Sequence, residues 1–134
     1  MPTTNNIMLI SDNIDLAIKI AKDLWKFNTN YCIISTDNGY DYKIKHFISE
    51  ENNRNIIVTN PDWIFQRKVN SYINYCKNYN IVPFFISEKN NLDKTHLLYT
   101  NLEEIYPDST EYIHCDKDEE TYKMELSILK SYLW

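Results

Sequence analysis

Short apolar runs alternate with longer segments of helical period along this chain. Ile7–Ser11 (IMLIS) is a continuous apolar run ending in Asp12-Asn13. That pattern predicts a strand buried on both faces, with Asp12 or Asn13 free to cap a following helix. The helix runs from Ile14 to about Phe27, with Ile14, Ile18, Ala21 and Trp25 on one stripe and Leu16, Ile20 and Leu24 widening it. Tyr31–Ser35 (YCIIS) reads as a second strand, and Asp37-Asn38-Gly39 as a turn. Residues 41–49 form a weaker helix with Ile44 and Ile48 four apart. Asn55–Thr59 (NIIVT) is a third strand, closed by Asn60-Pro61-Asp62. A helix over roughly Arg67–Tyr79 follows, then a fourth strand, Ile81–Ser87 (IVPFFIS).

Residues 88–110 are the least determined. Leu98, Leu102 and Ile105 have helical spacing and predict a helix, with a strand at His96–Thr100 as the alternative. Glu111–Cys115 (EYIHC) predicts a fifth strand. Asp118 then caps a last helix with Tyr122, Leu126, Leu129 and Leu133 on its face. Strict β-α alternation implies one parallel sheet covered on both faces by right-handed crossovers. A single domain over residues 1–134 is expected, with function at the carboxyl ends of the strands.

Those ends resemble the corresponding ends of response-regulator receiver domains, over nearly the whole chain. LISDNIDL (Leu9–Leu16) is similar to the end of the family's first strand, where paired acids hold Mg²⁺. IIVTNPDW (Ile56–Trp63) resembles the third strand and phosphoacceptor loop, and VPFFISEKN (Val82–Asn90) the fourth strand. EYIHCDKD (Glu111–Asp118) resembles the fifth, which in the family ends in Lys-Pro. The resemblance implies a three-layer, flavodoxin-like (βα)5 fold with strand order 2-1-3-4-5. It places the pocket at Ser11, Asp12, Asn60, Ser87, Cys115 and Lys117. Ser11 stands where the first acid would be, Asn60 where the phosphoacceptor aspartate would be, and Cys115 where the lysine would be, with Lys117 two residues on. Only the hydroxyl at Ser87 matches.

An amide is a poor nucleophile beside a carboxylate, and Mg²⁺ requires several hard oxygen ligands, of which Asp12 is a weak lone candidate. The resemblance therefore implies a pseudo-receiver: a non-enzymatic signalling or regulatory protein acting through protein contacts without phosphorylation. No cofactor is expected, with Mg²⁺ bound only if the pocket still works. The alternative is an atypical receiver switched by phosphorylation, with Asp62 as substitute acceptor, or by a small ligand. A further alternative is an α/β domain of no receiver ancestry, which a strand order other than 2-1-3-4-5 would favour. NPDWI (Asn60–Ile64) also resembles the aromatic signature of BRCT domains, but Trp63 lies mid-chain and no glycine pair precedes it.

Composition narrows the classes. The 134 residues are 43 % hydrophobic and 25 % charged, enough apolar material for a real core. The formal net charge is −5, which disfavours a nucleic-acid grip. The charge is uneven: Glu103–Glu120 holds eight acids against Lys117 alone, either a solvated face or a docking surface for a basic partner. In receivers the face built from the fourth helix, fifth strand and fifth helix commonly makes dimers. The resemblance thus points to Glu103, Glu104, Tyr112, Tyr122, Leu126 and Leu133 as an interaction face, for a homodimer or another protein. Tyr72, Tyr75 and Tyr79 share one helical stripe, read as a core edge with hydroxyls reaching water or as an aromatic contact patch.

Cys32, Cys76 and Cys115 are odd in number and lack metal spacing, which fits reduced buried thiols. His114 and Cys115 are adjacent on a strand, so they point to opposite faces and do not pair. Gly39 is the only glycine, so no GxGxxG, P-loop or GxSxG can be built. The start shows no signal peptide and no run spans a membrane, so a cytoplasmic protein is expected.

Overall fold

The computed structural model describes residues 6–26, 29–34, 40–50, 54–65, 69–87, 94–105, 111–114 and 119–133. The elements follow in strict alternation, with one extra short helix. They are β1 (Asn6–Ile10), α1 (Ile14–Trp25), β2 (Thr29–Ile33), α2 (Tyr40–Glu50), β3 (Arg54–Thr59), α3 (Asp62–Phe65), α4 (Val69–Asn78), β4 (Ile81–Ser87), α5 (Lys94–Ile105), β5 (Glu111–His114) and α6 (Glu119–Leu133). The fold is α/β with an all-parallel sheet between two helical layers.

Strand order corrects the sequence-based expectation. The sheet runs β2-β3-β1-β4-β5, not 2-1-3-4-5. Here β1 is central, with Ile7 opposite Ile56 of β3 on one side and Val82 of β4 on the other. Both β1 and β3 are uninterrupted apolar runs, so patterning could not say which of them takes the middle. A buried amide ladder marks the chosen arrangement. Asn55 Nδ2 donates to Asn6 Oδ1 at 2.9 Å, and Asn6 Nδ2 donates to the Tyr79 carbonyl at 3.0 Å. One side chain of β1 thereby ties β3 to the turn that opens β4. That turn ends on Asn80, whose φ of 53° is a left-handed conformation that asparagine tolerates.

Right-handed crossovers then fix the layers. From β1 the chain crosses leftward over β3 to β2, which puts α1 on one face with α6; the other crossovers run rightward, which puts α2, α4 and α5 on the opposite face. Alternation along each strand feeds both cores. Met8, Ile10, Ile57 and Phe85 meet Ile44, Tyr72, Cys76, Leu98 and Leu102, while Leu9, Ile56, Val58 and Phe84 meet Ala17, Ile20, Ala21, Leu24, Leu129 and Tyr132.

Several local expectations are refined. The second strand starts two residues earlier than predicted, and the segment after it lies outside the described residues. Residues 94–105 are helix, which excludes the strand alternative at His96–Thr100. The buried stripe of α1 is Ala17, Ile20, Ala21 and Leu24; Trp25, expected in that stripe, is 58 % exposed. The hydroxyls of Tyr72 and Tyr75 are buried rather than reaching water, since both side chains belong to the core on this face of the sheet. Burial pushes the Tyr72 phenol well above its ordinary pKa, helped by Cys76 beside it. Cys76 is buried, and burial pushes the half-buried Cys32 thiol up to about 12.

Candidate functional site

In an open parallel sheet a ligand crevice forms where crossovers from two neighbouring strands diverge. Here those neighbours are β1, whose connection leads toward β2, and β4, whose connection leads to β5. The receiver order would have opened the crevice between β1 and β3. The changed order moves it to β1 and β4 and brings the start of α5 against the β1–α1 loop.

That crevice is closed by a reciprocal clasp. The Asp12 N–H donates to Thr95 Oγ1 at 2.8 Å, and the Thr95 N–H donates to Asp12 Oδ2 at 3.0 Å. Thr95 is fully buried near the N-terminus of α5, where the first N–H groups lack intrahelical partners and the dipole favours an anion. Asp12 therefore caps a helix 83 residues away, while Asn13 caps its own: the Leu16 N–H donates to Asn13 Oδ1 at 3.2 Å. The Asn13 N–H in turn donates to Ser11 Oγ at 3.0 Å, and the Ser11 N–H reaches the Thr59 carbonyl at 3.1 Å.

The β3 end is organised in the same way. The Asp62 N–H donates to Asn60 Oδ1 at 3.2 Å, and the Ile64 N–H reaches the Pro61 carbonyl at 3.0 Å. Asn60 thus opens α3 with Pro61 preset for the first turn. The Asp62 carboxylate pairs with Lys94, the first residue of α5. The Thr59 hydroxyl is buried with no partner among the described residues. Ser87 is fully buried at the end of β4.

The residues expected to form a pocket are thus placed as follows. Ser11, Asp12 and Asn60 lie on one sheet edge and are engaged by N–H groups of their own loops or of α5. Ser87 lies at the end of the neighbouring strand. Cys115 and Lys117 lie outside the described residues. Asp62 pairs with Lys94 at the start of α5. Among the described residues no octahedral set of hard oxygens converges at this edge: Asp12 Oδ2 accepts the Thr95 N–H and the Asp62 carboxylate pairs with Lys94. Among the described residues no three His, Cys, Asp or Glu side chains gather as a metal site. Thr95, the centre of the clasp, was not singled out by sequence. Its only local signal is a Lys-Thr pair just ahead of the Leu98–Leu102 spacing.

The expected interaction face is also rearranged. Tyr122 and Leu126 pack inward on the α1 layer. The Tyr122 hydroxyl meets the Asp23 carboxylate, and Lys19 Nζ lies 4.4 Å from the centre of the Tyr122 ring. Tyr122 and Leu126 are both half-buried and pack α6 against α1. Glu104 is exposed and Glu103 half-buried on α5, while Tyr112 and Leu133 lie on β5 and α6 with side chains outside the described set. The exposed apolar positions here are Leu97 and Ile105 of α5 and Met124 and Ile128 of α6.

No protein-family model matches the chain, and no curated protein matches it. Two solved structures are similar, both de novo designed proteins studied by solution NMR. One is described as a P-loop NTPase fold, with a TM-score of 0.62 and 16 % identity over 98 % of this chain and 92 % of that one. The other, described as a PLOOP2X3_50 fold, has a TM-score of 0.58 and 14 % identity over 99 % and 95 %. The likeness is one of fold. The phosphate-binding loop of P-loop enzymes has no counterpart, since three residues, Ser11–Asn13, join β1 to α1 and none is glycine.

Proposed function

We propose that this protein is a non-enzymatic regulatory module that works through phosphorylation-independent contacts with other proteins. One observation carries the reading: the polar side chains at the carboxyl edge of β1 and β3 cap and clasp the protein's own helices. Catalysis needs a nucleophile or base poised toward open space. Asp12 is instead turned to Thr95, Asn60 to Asp62 and Asp62 to Lys94. The strand order removes the main topological support for receiver ancestry and favours an α/β domain of separate origin.

The partner surface in this proposal is the acidic flank formed by α5, β5 and α6. Leu97, Ile105, Met124 and Ile128 supply exposed apolar contacts on α5 and α6, within or beside the acidic stretch Glu103–Glu120. A partner with a basic surface suits that charge.

The test is intact-mass spectrometry after incubation with Mg²⁺ and acetyl phosphate, with Asn60→Asp in parallel. The wild type is expected to show no phosphoryl adduct. A Mg²⁺-dependent adduct mapped to Asp12 or Asp62 would overturn the reading and identify a relocated switch.

A further inference from the structure

The two edges of the sheet are protected unequally. Edge strands carry unpaired N–H and C=O groups and are normally blunted by charge, proline or shortness. β5 has four residues, begins with Glu111 and lies in the acidic stretch. β2 has five residues, Thr-Asn-Tyr-Cys-Ile, with no charge and no proline. Among the described strands it pairs only with β3.

The helix beside this edge is apolar on the matching side. Ala17, Ile20, Ala21 and Leu24 of α1 point into the sheet, and Lys19 and Asp23 meet Tyr122 of α6 on one flank. At 100° per residue, Ile14, Ile18 and Trp25 fall on the opposite flank, toward β2. Ile14 and Ile18 are half-buried and Trp25 is 58 % exposed. On β2, Ile33 shares the α1 face with Tyr31 and is 49 % exposed. Trp25 lies at the end of α1 that leads into Thr29, so Trp25 and Ile33 flank opposite ends of the same short strand.

We infer that the β2 edge joins a second copy of this chain in an antiparallel, twofold-symmetric dimer. Backbone pairing selects a strand as occupant, and the symmetry selects β2 itself. With the axis at Tyr31, residue 29 faces 33 and residue 30 faces 32, and no like charges oppose each other. Ile33 then approaches the end of the second copy's α1 that carries Trp25, and this happens twice, as an isologous interface requires.

The helices fit as well. α1 packs over both β2 and β3. With a strand spacing of ~4.8 Å, the two α1 axes lie about 10 Å apart, within the range of packed helices. They run antiparallel, so Asp15, at one end of α1, faces Lys22 toward the other end of its copy, while Lys26 pairs with Asp23 of its own helix. Asp15 and Lys22 share one side of the helix, about 20° apart. The charges are therefore complementary, and the result is one continuous sheet through both protomers.

Size-exclusion chromatography with light scattering on the full chain tests this. Twice the 16.1 kDa chain mass is expected in the micromolar range. Ile33→Lys, at a half-exposed position, is expected to give the monomer mass with an unchanged circular dichroism spectrum. Opposed residues on the axis lie within disulfide reach, with Cα atoms about 4.5–5.5 Å apart. Tyr31→Cys in a Cys32→Ser background is therefore expected to form a reducible covalent dimer, which the background alone does not form. A monomer at all concentrations, or a dimer that Ile33→Lys leaves intact, would overturn the inference. Failure of Tyr31→Cys to cross-link would overturn the Tyr31-centred register.

Discussion

Removing either side chain of the Asp12–Thr95 clasp should loosen the start of α5. The two hydrogen bonds are separate: each side chain meets the other residue's backbone N–H. Asp12→Ala removes the helix cap and its charge at the positive end of the dipole. Lost caps of this kind cost about 1 kcal/mol and up to ~2. Thr95→Val keeps the buried volume but takes the acceptor from the Asp12 N–H. Asp12 is exposed, so water partly replaces that bond and the cost is about 0.5–1 kcal/mol. Because the two residues bond to each other, the double variant should cost less than the sum of the singles, and the shortfall measures their coupling.

Urea unfolding followed at 222 nm measures all three. For a chain of this length 1 kcal/mol corresponds to roughly 3–5 °C in Tm. Hydrogen exchange localises the effect: the Thr95 amide should lose protection first, while β1 and β3 keep theirs. An Asp12→Ala variant as stable as the wild type, with Thr95 still protected, would refute the clasp. So would a Thr95→Val cost above ~3 kcal/mol, which would assign the residue to packing instead.

Four other outcomes follow from the same structure. Asn55→Ala should cost about 2–3 kcal/mol in urea titrations, since it strips a partner from the buried Asn6 amide; a cost below ~0.5 kcal/mol would remove the ladder as a determinant of strand order. Thr59→Val should leave stability unchanged or raise it by about 1 kcal/mol, because it deletes a buried hydroxyl without a described partner. Burial raises the Glu125 pKa, so the folded state holds that proton more tightly than the unfolded chain does; stability is gained as pH falls through the raised value and is diminished above it. Glu125→Gln should therefore be more stable than wild type at pH 7 and equal to it near pH 4, as read from paired melts. Finally, a Cys32 pKa of about 12 against an ordinary 9.0 leaves about a thousandfold less thiolate at pH 8, so iodoacetamide should label native Cys32 far more slowly than the urea-unfolded chain.

The periodicities determined the elements. Continuous runs such as Ile7–Ile10 and Ile81–Ser87 became buried parallel strands, and the 3.6-residue spacing of Ile20 and Leu24 became the inner face of α1. Asn13 was legible as a cap, because capping depends on a few adjacent residues. These local interactions also made the alternation, and hence the α/β class, readable without a structure. Strand order was not legible. β1 and β3 have the same apolar character, and the contact that separates the alternatives, Asn6 to Tyr79, spans 73 residues. The partner of Asp12 was hidden for the same reason, since Thr95 is 83 residues away and Asp12 is equally well suited to a metal, a phosphoryl site or a helix cap. Nor did the spacing of Ile14, Ile18 and Trp25 reveal that the first two are only half-buried at the rim of the core and that Trp25 is exposed. Helical period places residues on a common stripe, but only the neighbours on either side, α6 against Lys19 and Asp23 and the open edge of β2, decide which stripe is buried.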